Sequence, residues 1–133
     1  MRALVIQDED VLSRSMAKIV NQLGFEVVES AFGEDGLEFA QVYLFDIICV
    51  DDNLPDLSGF DILRRLRMCG CDAPTVFVSS AAHEPDVARR ARALGAKALL
   101  GLPFQAAEFA RIVGDLHHAA RGFGPYEPGS GGC

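Results

Sequence analysis

The chain has 133 residues, half of them hydrophobic, with 19 acidic against 12 basic side chains and a formal net charge of −7. That length suits one domain with a proper core. An acidic surface excludes nucleic-acid binding through a broad basic stripe, so no direct DNA binding is expected, and no apolar run approaches the roughly 18 residues of a membrane span.

The N-terminus, MRALVIQDED, begins directly as a strand and lacks the layout of a secretory signal, which reads as a cytoplasmic protein with no membrane contact. Ala3 to Ile6 is a continuous apolar run, as in a strand covered on both faces. Val11 to Leu23 places Val11, Leu12, Met16, Ile19, Val20 and Leu23 at helical spacing, with Gly24 as the stop. Val27 and Val28 mark a second strand, and Gly33 to Tyr43 a second helix carrying Leu37, Phe39, Ala40 and, just beyond, Leu44. Ile47 to Val50 is the third strand, and it runs straight into Asp51, Asp52 and Asn53.

A loop from Asp52 to Ser58 leads to a third helix with Phe60, Ile62, Leu63 and Leu66 inward and Arg64, Arg65 and Arg67 outward. Thr75 to Val78, Pro85 to Leu94 and Ala98 to Leu100 supply a strand, a helix ended by Gly95, and a last strand. Glu108 to Ala120 closes the pattern, with Phe109, Ile112, Val113 and Leu116 on one face. Five βα repeats with short loops predict a parallel sheet covered on both sides, and the flavodoxin-like order 2-1-3-4-5 is the expected topology. The domain is expected over residues 1–121. Residues 122–133, GFGPYEPGSGGC, read as a flexible Gly/Pro-rich tail or the stub of a linker.

In that order the first and third strands are neighbours, so Gln7-Asp8-Glu9-Asp10 and Asp51-Asp52-Asn53 converge at the carboxyl edge of the sheet. Gathered carboxylates repel unless a cation lies between them, and hard oxygen ligands select Mg2+ or Ca2+. Magnesium fits a site of one or two protein carboxylates better. Asp8 and Asp51 are the metal candidates, with Glu9 as a further one. Asp10 and Asp56 read instead as caps of the helices that come after them. The fourth strand closes with the hydroxyls of Ser79 and Ser80, and the fifth runs into Leu102-Pro103, a candidate cis bond. Cys49 reads as a buried thiol, and Cys69 and Cys71 flank a turn without the neighbours a zinc site needs. His83, His117 and His118 form no nucleophile–base set and read as surface residues.

With these features, above all NLPDLSGFDILRRLR after Asp51, the chain resembles the receiver domains of bacterial two-component response regulators over roughly residues 2–120. It is especially similar to receivers that head winged-helix regulators, cell-cycle regulators among them, although the sequence stops before any such effector domain. The resemblance implies that Asp51 accepts a phosphoryl group from a histidine kinase. It further implies that Asp8, Asp51 and the Asn53 carbonyl hold Mg2+, and that Ser79 hydrogen-bonds the phosphoryl group. Three positions depart from the pattern. Gln7 stands where a first acid is usual, Leu99 where an aromatic often swings inward, and Leu102 where a lysine normally precedes Pro103. Lys97 lies at the opposite end of the strand and does not replace that cation, while Asp52 adds a charge without an evident role.

The resemblance admits two readings: an atypical stand-alone receiver with weak or absent phosphorylation of Asp51 and weakly held Mg2+, or a conventional phospho-receiver. Partners would be a histidine kinase, a phosphotransferase or a downstream regulator, meeting the fourth helix, fifth strand and fifth helix. Arg89, Arg90 and Arg92 mark that surface, and a homodimer through it is compatible with the pattern but not required by it. A Mg2+-dependent phosphohydrolase is the alternative of another class, but it needs a general acid at Asn53 and a substrate cap. A nucleotide-binding module is disfavoured because QDEDVLS comes after the first strand in place of a glycine-rich loop.

Overall fold

The structure is a computed structural model that describes residues 1–122. The elements are β1 (Arg2–Ile6), α1 (Asp10–Gln22), β2 (Glu26–Ser30), α2 (Gly33–Val42), β3 (Ile47–Asp51), α3 (Gly59–Met68), β4 (Thr75–Ser79), α4 (Pro85–Ala93), β5 (Ala98–Gly101) and α5 (Ala106–Ala120). All five strands are parallel in the order β2-β1-β3-β4-β5, as the βα rhythm predicts. Most of the expected tail, residues 123–133, lies outside the described residues. None of the described helices is long and apolar enough to cross a membrane.

Strand alternation divides the core into two layers. Ala3, Val5, Ile47, Cys49, Val76 and Val78 face one side, where they meet Met16 and Val20 of α1 and Phe109 and Val113 of α5. Leu4, Ile6, Ile48 and Val50 face the other, against Leu37 of α2 and Ile62 and Leu66 of α3. Phe77 of β4 continues that second layer with Leu63, Ala91 and Ala96, and Phe60 and Leu99 pack around it. Every residue of β3 and β4 is buried, which explains why these strands read as unbroken apolar runs.

Several local expectations need correction. Leu44 does not extend α2: the helix ends at Val42 and Leu44 is 92% exposed. Val11 has helical spacing but faces solvent. His117 is not an ordinary surface residue: its ring packs edge-on against Phe25, centroids 5.2 Å apart, and its Nε2 is buried without a hydrogen-bond partner. That burial holds its pKa below the usual histidine range.

Asp10 occupies the first turn of α1 but does not cap it. Glu9 does, its carboxylate accepting the N–H groups of Val11 and Leu12 at 3.3 and 2.9 Å. Asp56 caps α2 rather than α3, accepting the N–H groups of Gly33 and Glu34 at 2.8 and 2.9 Å, while Ser58 caps α3.

Candidate functional site

The carboxyl edge of the sheet is built by the ends of β1, β3 and β4. Pairing of Ile6 with Val50 sets Gln7 beside Asp51, and pairing of Asp51 with Val78 sets Asp52 beside Ser79. Both pairs are realised as hydrogen bonds. The Gln7 amide donates to Asp51 Oδ1 at 3.1 Å, and the Ser79 hydroxyl donates to an Asp52 carboxylate oxygen at 2.5 Å. The second Asp51 oxygen accepts the Asn53 N–H at 3.2 Å. Gln7 is itself fixed, because its Oε1 accepts the Glu9 N–H at 3.1 Å.

Asp51 is nearly buried, at 7% exposure. Burial pushes its carboxyl above the usual aspartate range; the Gln7 and Asn53 hydrogen bonds counter this, and the charges of Asp52 and Asp8 reinforce it. Both charges acting on it are therefore negative. Among the described residues no cationic side chain pairs with Asp51.

The floor of the site is backbone. Gly59 N–H donates to the Asp52 carbonyl at 2.8 Å, and a Cβ at Gly59 would lie 2.5 Å from the Asp51 carbonyl oxygen. Only glycine permits this approach of α3 to the end of β3. On the far side the Leu102–Pro103 peptide is cis, and the Leu102 N–H donates to the Ser79 carbonyl at 3.1 Å. The Leu102 side chain packs against the apolar layer that holds Val78, Leu100 and Phe109. Lys97 lies at the other end of the strand, where its N–H bonds to the Thr75 carbonyl.

Of the sequence-predicted residues, Gln7, Asp51, Asn53 and Ser79 thus share one edge, with Asp8 close enough for its charge to act on Asp51. Glu9, considered as a further metal ligand, is engaged as the cap of α1. The contact of Asp52 with Ser79 is the feature that sequence reasoning missed.

The oxygen donors at this edge are of the kind a hard cation takes. Asp8, Asp51 and the Asn53 carbonyl are oxygen donors, and such a site would be completed by water. Among the described residues no group of three or more acidic, histidine or cysteine side chains gathers to form a stronger one.

The response regulator receiver domain model matches residues 3–113. The chain belongs to the response regulator receiver domain family. As a receiver domain it is 34% identical over 121 residues to the cell cycle transcriptional regulator CtrA of Caulobacter vibrioides, a match covering 91% of this chain and 51% of that protein. This receiver domain thus spans about half the length of the curated relatives it matches. Its fold matches a CheY-like receiver domain protein from Methanospirillum hungatei, with a TM-score of 0.85 at 20% identity, covering 91% of this chain and 96% of that one. It also matches the receiver domain of sensor histidine kinase PA1611 from Pseudomonas aeruginosa, which holds a magnesium ion in its active-site cleft. There the TM-score is 0.78 at 24% identity, over 87% of this chain and 96% of that one. Receiver domains are signalling modules that work through contact with kinases, phosphotransferases and downstream regulators.

Proposed function

We propose that this receiver domain regulates its partners by protein contact, with Asp51 phosphorylated weakly or not at all. The observation that carries the reading is the charge balance at Asp51: its direct partners are a neutral amide and a backbone N–H, and the charges acting on it are acidic. Phosphoryl transfer brings a further negative group to the acceptor, and catalysis of it consists mainly of positioning and neutralising that charge. Leu102, where the resemblance implies an ammonium, supplies no such charge.

Asp8, Asp51 and the Asn53 carbonyl would hold Mg2+, with Gln7 contributing no charge. The ion, when bound, would screen the incoming phosphoryl group. The chain's own residues do the rest. Gln7 and Asn53 orient the Asp51 carboxylate, Gly59 lets α3 approach it closely, and the apolar layers beneath keep water from its inner side. Partner contact would run through α4, β5 and α5, where an open groove of about 470 Å³ lies between the β4–α4 turn and Ile112 and Arg111 of α5. A phosphohydrolase is disfavoured because Asn53 stands where a general acid is needed.

The test is incubation with Mg2+ and acetyl phosphate, then intact mass measurement of wild type, Asp51→Ala and Leu102→Lys. Little modification of wild type, and a gain in Leu102→Lys that Asp51→Ala abolishes, is the expected result. Ready, Asp51-dependent modification of the wild type would establish the conventional phospho-receiver instead.

A further inference from the structure

The proton of the Ser79 hydroxyl is already committed. Ser79 is fully buried at the end of β4, and its Oγ lies 2.5 Å from a carboxylate oxygen of Asp52, within the range of a charge-assisted O–H···O⁻ bond. A serine has a single proton to donate, so a hydroxyl engaged with Asp52 cannot at the same time donate to an anion at Asp51. Asp52 is held firmly in place for this contact. Its N–H donates to the Val78 carbonyl at 3.0 Å and its carbonyl accepts the Gly59 N–H at 2.8 Å.

Ser79 in turn organises two neighbouring turns. Its Oγ accepts the Ala81 N–H at 2.9 Å, and its carbonyl accepts the N–H groups of Ala82 and Leu102 at 3.3 and 3.1 Å. The turn into α4 and the turn out of β5 are thereby gathered on one residue, whose side chain is set by Asp52.

We propose that Asp52 is a resident anion: its carboxylate occupies the Ser79 hydroxyl permanently and holds the β4–α4 turn in the anion-engaged arrangement without phosphorylation of Asp51. Asp52 is a positioning residue, acting through Ser79. The inference deepens the proposed function, since it gives the α4–β5–α5 face a fixed form that partners can bind with no phosphoryl signal.

Amide hydrogen exchange of the unmodified protein, without metal or phosphoryl donor, tests it. The reporter is Ala81, whose N–H bonds to Ser79 Oγ. Asp52→Asn keeps an acceptor oxygen but removes the charge, and Asp52→Leu removes both. Exchange at Ala81 should be about tenfold faster in each variant, with β1 amides unchanged. Protection preserved in Asp52→Asn would show that charge is not needed and overturn the proposal. Protection preserved in Asp52→Leu would remove the contact altogether.

Should a variant be too unstable for exchange, a double-mutant cycle of Asp52→Ala with Ser79→Ala in urea unfolding decides. Coupling of about tenfold in the unfolding equilibrium is expected, and coupling near unity overturns the proposal. These outcomes are separate from the mass measurement at Asp51. A readily phosphorylated wild type would end the phosphorylation-free reading, whereas Ala81 exchange and the cycle alone judge the bond between Asp52 and Ser79.

Discussion

Asp51 sits in a balance that pH should expose. Burial raises its folded pKa, so the folded state holds this proton more tightly than the unfolded chain does. Its contribution to stability is therefore fully present below about pH 4, the unfolded aspartate value, and is lost as pH rises through the folded value. Asp51→Asn carries a pH-independent penalty, because its amide NH2 must face either the Gln7 NH2 or the Asn53 N–H. The stability of Asp51→Asn relative to wild type should nevertheless improve between pH 4 and pH 7, as read from urea midpoints. A difference that stays flat with pH would remove the unfavourable buried charge from the account. Asp51 was legible in the sequence because a carboxylate directly ending an apolar strand is unusual. Asp52 was not, since its partner depends on the β3–β4 register, which no local pattern discloses. Alternation alone sends it to the face opposite Asp51, and only the pairing shows that Ser79 waits there.

At the scale of elements, the βα rhythm located all ten helices and strands, most of them through an apolar stripe or run that must be buried, whereas α4, which buries only Ala91, was marked by Pro85 and Gly95. Their ends were less legible. A cap donated across the fold leaves no mark near the helix it serves, and so Asp56 pointed to α3 while serving α2. Its carboxyl is held below the usual aspartate range, first by the Glu34 N–H. That stabilisation is present above about pH 4 and is lost as pH falls through the depressed folded value. Asp56→Ala should cost about 1 kcal/mol at neutral pH, with faster exchange at Gly33 and Glu34 rather than in α3. Gly59→Ala should cost more, on the order of 2 kcal/mol or above, because its Cβ would meet backbone of Asp51 and Asp52 and the Phe77 ring, all within 2.7 Å. Equal unfolding midpoints for Gly59→Ala and wild type would contradict that packing.

For the molecule as a whole, the central strands are sealed. Cys49 lies in β3 at 1% exposure, and burial pushes its thiol up to about 12. Cys69 is exposed at the end of α3. In a Cys133→Ser background, a thiol reagent at pH 8 should therefore label Cys69 in the native state and Cys49 only on global unfolding. Labelling of Cys49 at a rate independent of urea would indicate a looser sheet than the structure has.

The cap that Asp56 places on α2 has a mechanical consequence. Together with the Arg65–Glu34 ion pair between α3 and α2, it ties both the loop after β3 and α3 to the start of α2. The loop, α2 and α3 thus form a joined frame around the strand end at which Asp51 is set. The half beyond β4 is joined to that frame, at this edge, by the Asp52–Ser79 bond beside the Asp52 N–H bond to the Val78 carbonyl. The fold works like a door whose jamb is the β3 side and whose latch is set at the contact between Asp52 and Ser79.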